Sequence, residues 1–209
     1  MDNRGMKLLR ILSLSIIIPT QIFIFTPAVS AAPVYVFPIS NCVATYGKFH
    51  HSYPATDINT KRGCAFVAPT AGVVDVVLDK DVWSGKTNLG KDRGGLAVGI
   101  IGDDGVRYYG SHLSKIEPGI AVGVRVAAGA KLGEVGSTGS ARGTKPHLHF
   151  GLSWPTDNSV WWVRRGVVAP WKFLEAWKAG KDLSPAKAVN AAKLKLGELP
   201  PEPKNEVRK

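Results

Sequence analysis

Short apolar segments separated by turn residues dominate the first three quarters of the chain. Segments with β-branched or alternating apolar residues occur at positions 73–78, 96–101, 121–126 and 147–152. This pattern is typical of strands. The sequence Gly-Asp-Asp-Gly at 102–105 is a turn signal, and residues 106–109 would form the returning strand. Because the segments are short and closely spaced, we predict a mostly β fold, an antiparallel β-sheet or sandwich.

The pattern changes in the last quarter of the chain. Residues 170–180 begin with proline, carry apolar residues at helical spacing and end with glycine, which predicts one short C-terminal helix. We therefore place a single domain at residues 33–180. Residues 181–209 contain many lysines, four prolines and no aromatic residue. They are predicted to form a weakly ordered basic tail with a helix at 185–196. Segments 82–95 and 154–166 are predicted to be loops.

The N-terminus has the pattern of an export signal. Basic residues precede an apolar stretch at 11–25, and small residues follow that fit cleavage after Ala31. The stretch of about 15 residues is shorter than the roughly 20 needed to span a bilayer, which disfavours a retained anchor. We predict a signal peptide at residues 1–31 and no transmembrane segment in the mature chain. The protein would be secreted or lie in the cell envelope, the periplasm included.

The two cysteines of the chain are Cys42 and Cys64. An exported protein meets an oxidising compartment, where a pair of cysteines tends to bond. We therefore predict a disulfide bond between them. It would close a loop of roughly 23 residues and stabilise the fold by about 3 kcal/mol.

The formal net charge of the chain is +11, and removal of residues 1–31 would take away three basic residues and one acidic residue, which leaves about +9. An exported protein of this charge is not expected to meet nucleic acid. Anionic polymers of the cell envelope, or a membrane surface, are the partners that the charge would attract. Solubility alone would also explain such a charge.

Histidine residues carry the candidate chemistry. His147 and His149 are two positions apart in a predicted strand, so both side chains lie on one face. His50 and His51 shortly precede Asp57. Catalytic zinc sites use three protein ligands and leave a fourth position for water, whose pKa falls to about 7. One of His50 and His51, together with Asp57 and one histidine of the pair, would form such a set.

A further histidine, His112, ends a predicted strand. Its side chain could transfer a proton at neutral pH. The neighbouring Ser111 is not predicted to be a nucleophile. Adjacent residues of a strand point to opposite faces, and no Gly-x-Ser-x-Gly sequence is present.

Together and in this order, the motifs resemble those of the lysostaphin-like, or LytM-type, metallopeptidases, which cleave peptides of peptidoglycan. The resemblance covers close to half of the chain. It rests on the segments at 53–58, 67–74, 109–113, 129–139 and 147–150. Each motif is modest alone, but five in the same order are specific to the family.

The resemblance implies a compact sheet with an open groove and one zinc ion. It assigns the metal ligands as His51, Asp57 and His149, with His50 as the alternative to His51. His147 would be the general base, and His112 would stabilise the oxyanion or assist proton transfer. One feature departs from the family pattern: five residues separate His51 from Asp57 where the usual motif has three. A bulge in this segment would still direct both side chains to one metal.

The function implied by the resemblance is that of an exported zinc endopeptidase. It would hydrolyse cross-bridges or stem peptides of bacterial peptidoglycan. The alternative is a catalytically inactive protein that binds the cell wall or activates another hydrolase. Loss of a ligand would have favoured this alternative, and the sequence retains every ligand type.

Overall fold

The computed structural model describes residues 34–50 and 52–203. The strands are β1 (Ile39–Ser40), β2 (Thr45–Tyr46), β3 (Thr56–Asn59), β4 (Ala65–Val67), β5 (Gly72–Leu78), β6 (Leu96–Gly102), β7 (Arg107–Ile116), β8 (Arg125–Val126), β9 (Lys131–Val135) and β10 (His147–Ser153). The helices are α1 (Trp161–Arg164), α2 (Trp171–Lys178) and α3 (Ala186–Leu196), and Gly90–Asp92 and Gly139–Ala141 form 3-10 turns. The predicted signal peptide lies outside the described residues. Within the described part, no helix has the length and apolarity to cross a membrane.

The strands form one antiparallel sheet. Its main path runs β1-β4-β9-β7-β10-β3-β2, and β6 connects β7 to β5, which also pairs with β8. Strand β7 is the longest and pairs with β6, β9 and β10. The predicted mostly β, antiparallel fold is confirmed.

Several elements differ from those expected from the sequence. The predicted strand at 121–126 is reduced to β8, because residues 122–123 form a turn. Strand β3 was not predicted as a strand, since three of its four residues are polar. Pairing with β2 and β10, rather than a local apolar pattern, defines it. The segment at 154–166, predicted to be a loop, contains helix α1.

The main core lies between the sheet and helix α2. Phe66, Tyr108 and Phe150 are fully buried side chains of the sheet. Trp177 of α2 packs against Phe150 with ring centroids 6.3 Å apart and stacks on Tyr35 at 5.6 Å. Burial of each such side chain contributes about 1.5–3 kcal/mol. The helix therefore fixes one face of the sheet and leaves the other available for a cleft.

The segment after α2 is attached to the domain by apolar and polar contacts. Helix α3 forms where the sequence predicts a helix, and its Val189 is 1% exposed. Beyond α3, the indole of Trp154 donates to Glu198 O at 3.0 Å, and that of Trp162 donates to Pro200 O at 2.8 Å. Residues 204–209, the end of the predicted tail, lie outside the described residues.

The predicted disulfide bond between Cys42 and Cys64 is present. It links the segment between β1 and β2 to the residue that precedes β4. The covalent link stabilises the fold chiefly by restricting the unfolded chain.

A buried ion pair holds the loop that precedes α1. The Arg107 side chain is 2% exposed, and its Nε donates to Asp75 Oδ2 at 2.6 Å. The same guanidinium donates to the backbone oxygen of Thr156 at 2.6 Å and to its hydroxyl at 3.0 Å. The loop is thereby fixed to strands β5 and β7, and the position of α1 above the sheet follows from it.

Candidate active site

The pairing of β3 with β10 places an aspartate opposite a histidine. Asp57 and His149 are direct partners in the antiparallel register, although 92 residues separate them in sequence. Side chains directly opposite in such a pair have Cβ atoms about 5 Å apart and meet on one face. The His149 Nδ1 atom lies 3.0 Å from Asp57 Oδ1.

The third member of this group is His50. Its Nε2 lies 3.8 Å from Asp57 Oδ2, and its ring centroid is 5.2 Å from that of His149. One ligand atom from each of these three residues lies within 4.8 Å of the others. The His50 side chain is 8% exposed and that of His149 is 4% exposed. The three donors thus converge at one partly enclosed point.

The loop between His50 and Asp57 accommodates the unusual spacing of this motif. The amide of His50 donates to Ala55 O at 3.1 Å, which closes the loop at its base. This hydrogen bond brings the two ends of the segment together, so that His50 and Asp57 stay adjacent. His51 is not among the described residues, and its preference over His50 as a ligand stays a prediction.

His112 and His147 lie beside this group. Their ring centroids are 4.9 Å apart, and the His112 ring is 6.0 Å from that of His149. These four histidines and Asp57 all line one cleft of about 400 Å³. The structure therefore brings together every sequence-predicted site residue that it describes.

His112 has a backbone conformation that is rare for a residue with a side chain. Its φ is +65°, in the left-handed region, and the pairing of β7 shifts register just beyond it. Such strain persists only where the surrounding structure enforces it and is concentrated at functional sites. Because the regular alternation fails here, Ser111 and His112 both line the cleft. The argument from sequence that these neighbours face opposite sides was wrong.

Two backbone carbonyls determine the tautomers of the neighbouring histidines. His112 Nδ1 lies 2.9 Å from Thr138 O, and His147 Nδ1 lies 2.9 Å from Lys145 O. A carbonyl oxygen only accepts, so each Nδ1 carries the proton of the neutral ring. In both residues Nε2 is then left as a proton acceptor.

Burial and like charges keep the His112 ring neutral at physiological pH. Desolvation, followed by repulsion from His149 and His147, lowers its pKa from 6.5 to about 3. For Asp57, burial raises the pKa, but the close contact with His149 and the influence of the other nearby histidines outweigh it. The net result is a pKa well below the usual range. The cleft therefore contains a carboxylate beside uncharged imidazole.

A backbone carbonyl also orients His149. Its Nε2 lies 2.9 Å from Arg165 O, the residue that follows α1. In the neutral ring this contact assigns the proton to Nε2 and the lone pair to Nδ1, the atom that faces Asp57. Two acceptors 3.0 Å apart repel each other unless a proton or a metal ion lies between them. The donor set of two imidazoles and a carboxylate therefore fits a divalent transition metal.

Close approach of Arg165 requires a glycine in β10. Gly151 lies on the same face as His147 and His149, and a Cβ atom there would overlap Arg165 O and lie 2.7 Å from its carbonyl carbon. The tyrosine Tyr53 completes this side of the cleft, with its hydroxyl 3.4 Å from His149 Nε2. Sequence patterns gave no role to these neighbours, because Arg165 belongs to a segment that resembles a loop.

Comparison with known proteins assigns the family. The model described as peptidase family M23 matches residues 51–160, more than half of the chain. The chain belongs to peptidase family M23.

Individual relatives are similar to parts of this chain. The L-Ala--D-Glu endopeptidase of Bacillus subtilis (strain 168) is 31% identical over 90 residues, which are 41% of this chain and 26% of the relative. The crystal structure of a Pseudomonas aeruginosa protein assigned to peptidase M23 has a TM-score of 0.51 and 25% identity over 73% of this chain and 55% of that one. The catalytic domain of lysostaphin from Staphylococcus simulans is 27% identical, with a TM-score of 0.47, over 65% of this chain and 93% of that domain. This chain thus spans about a quarter of the curated relative and about half of the Pseudomonas protein.

Proposed function

We propose that the protein is an exported zinc endopeptidase that hydrolyses stem peptides or cross-bridges of bacterial peptidoglycan. The observation that carries the proposal is the convergence of His50, Asp57 and His149 beside His112 and His147 in one cleft. Membership of a peptidase family supports the reaction class. The name of the Bacillus relative, an L-Ala--D-Glu endopeptidase, supports a peptide substrate that contains a D-amino acid, as the stem peptides of peptidoglycan do.

The three converging residues would hold one zinc ion. His50, Asp57 and His149 supply the three protein donors expected of a catalytic site. When bound, zinc supplies Lewis acidity that polarises the scissile carbonyl and lowers the pKa of water to about 7. The carbonyl of Arg165 fixes the His149 ring, since a ligand histidine is oriented by the partner of its other nitrogen.

The remaining histidines would move protons. Because the Lys145 carbonyl occupies His147 Nδ1, the Nε2 atom is the one that can take a proton from water in the cleft and return it to the leaving amine. His112 has the same tautomer and lies 4.9 Å away, between ring centroids. This arrangement favours proton transfer as the role of His112. Stabilising an oxyanion would require its Nε2 to carry a proton first.

Export and the cell-wall location are parts of the same proposal. A disulfide bond is retained most readily in an oxidising compartment, which agrees with the predicted signal peptide. The positive charge of the chain, which remains after removal of residues 1–31, would favour encounter with anionic polymers of the envelope.

The proposal is tested by the release of new amino groups from purified peptidoglycan. The mature protein should release them, lose this activity with a chelator, and regain it with zinc. His147→Gln is the matched variant: we expect it to retain one zinc ion per chain and to lose turnover at least about 100-fold. Zinc binding without hydrolysis of several wall types would overturn the proposal in favour of a wall-binding protein or an activator.

Zinc content also decides between the two candidate ligand histidines. We expect His50→Ala to lose zinc and His51→Ala to retain it, because the structure places His50 beside Asp57 and His149. The reverse result would assign His51 as the ligand. Inductively coupled plasma mass spectrometry of the purified variants gives the stoichiometry directly.

A further inference from the structure

The cleft beside the histidine group is strongly cationic. Among its described lining residues are Lys91, Arg93, Arg164 and Arg165, whereas the one carboxylate is Asp57. The positive side chains outnumber the carboxylate, and that carboxylate already belongs to the candidate metal site. A cleft with one sign of charge concentrates ligands of the opposite sign.

Arg164 is the member of this set with an unusual environment. The residue is 5% exposed, and its Nη1 donates to Asn158 O at 2.7 Å. Its guanidinium carbon lies 5.5 Å from the centroid of the Tyr109 ring. Within residues 34–50 and 52–203, no carboxylate lies within ion-pair distance of Arg164. Its side-chain partners are therefore neutral: the carbonyl of Asn158 and the ring and hydroxyl of Tyr109.

Burying a guanidinium without a carboxylate partner costs free energy, because the charge loses its hydration. Removal of a cation from water is offset only when an anion and several hydrogen bonds replace the water. Arginine presents a planar set of N–H donors that matches a carboxylate with two parallel hydrogen bonds. The side chain lines the cleft, so an anion from a bound ligand can reach it.

Arg164 is also close to the candidate metal site. The next residue, Arg165, provides the carbonyl that contacts His149 Nε2. Tyr109, which lies against the guanidinium, pairs across the sheet with Gly151, two positions beyond His149 on the same face. A peptide with its scissile amide at the histidine group would thus bring an adjacent residue to Arg164.

We propose that Arg164 makes this cleft selective for peptides with a free carboxylate next to the scissile amide. The inference rests on the proposed function and narrows its substrate to the acidic stem peptides, because a glycine cross-bridge has no carboxylate between its ends. Two sources share this chemistry: the α-carboxylate of a γ-linked acidic residue, and the C-terminal carboxylate of the peptide.

The test compares the cleavage of matched synthetic peptides by wild type and by Arg164 variants. One peptide pair differs by carboxylate or amide at the γ-linked residue, and a second pair differs by carboxylate or amide at the C-terminus. For the zinc-loaded wild type, we expect kcat/KM to be at least about tenfold higher for the carboxylate in one pair, which identifies the source. In Arg164→Gln this ratio should fall towards one, and Arg164→Lys should recover part of it.

Two controls distinguish a role of Arg164 in recognising the substrate from a role in supporting the fold. Lys187→Gln removes one positive charge from an exposed position outside the cleft and should change the ratio less than about twofold. Peptide affinity measured by calorimetry in a His147→Gln background, with and without Arg164→Gln, should show the same carboxylate dependence without turnover. If Arg164 only supported the fold, both members of each pair would lose the same factor.

The failures of the two proposals are distinguishable. Equal rates for both members of both pairs, or efficient cleavage of pentaglycine with neither carboxylate preferred, would overturn the role of Arg164 and leave the peptidase intact. If no peptide and no peptidoglycan is cleaved, the proposed function fails. Carboxylate-dependent binding that is lost in Arg164→Gln would then still support the recognition site.

Discussion

Gly151→Ala tests whether the backbone of Arg165 controls the candidate metal site. The substitution adds one methyl group on the face of β10 that carries His147 and His149. The new Cβ atom would lie 2.7 Å from the Arg165 carbonyl carbon, whereas ordinary van der Waals contact begins at 3.4 Å. The carbonyl must therefore move by about 0.7 Å, since both sides of the contact are backbone.

A displacement of this size cannot preserve the contact between Arg165 O and His149 Nε2. That contact is 2.9 Å, and hydrogen bonds weaken steeply when distance or angle departs from the optimum. Loss of the group that orients a ligand histidine typically lowers metal affinity about 10- to 100-fold. We expect the same decrease in zinc affinity for Gly151→Ala, with a smaller effect on secondary structure.

Competition with a fluorescent zinc chelator measures the affinity, and circular dichroism reports the fold. Gly72→Ala is the matched control, because its Cβ would lie 2.9 Å from the carbonyl carbon of Ile101, at a position of β5 outside the cleft. Both variants should lose stability, but only Gly151→Ala should lose zinc affinity. Wild-type affinity in Gly151→Ala, or an equal decrease in the control, would refute the reasoning.

Three further predictions concern stability, each measured by urea or thermal unfolding. Replacing Cys42 and Cys64 by serine should lower the free energy of unfolding by about 3 kcal/mol, and a loss below about 1 kcal/mol would contradict the loop-closure argument. Arg107→Met should lower it by about 3–5 kcal/mol by leaving Asp75 buried without its partner, and adding Asp75→Asn should recover part of the loss. Removing the residues after α3 should lower the melting temperature by at least about 4 °C, because the indole N–H groups of Trp154 and Trp162 lose their acceptors. An unchanged melting temperature would show that these hydrogen bonds contribute no stability.

The strands with strong local patterns were predictable, and those defined by their partners were not. Strands β5, β6 and β10 were expected because β-branched or alternating residues fill them. Strands β3 and β4 have four and three residues, too few for a periodic pattern to stand out. Their pairing with β10 and β9 makes them strands, and that pairing is a long-range property.

The rule that side chains alternate along a strand was correct for one pair of site residues and wrong for another. The alternation of side chains along a strand correctly placed His147 and His149 on one face. The same rule separated Ser111 from His112, because the sequence does not reveal the left-handed conformation of His112. Contacts from β6, β9 and the 3-10 turn at Gly139–Ala141 enforce that conformation, so only the assembled sheet determines it.

The sequence by itself determined the fold class, the disulfide bond and the set of residue types able to bind a metal and move protons. Periodicity, turn residues and motif order are local properties and can be read along the chain. Only the tertiary structure decided which of these residues meet. The register of β3 on β10 brings Asp57 to His149, and the loop after β2 brings His50 to both. Likewise, the buried pair that fixes α1 brings Arg164 and Arg165 to the cleft, since such contacts depend on packing between distant segments.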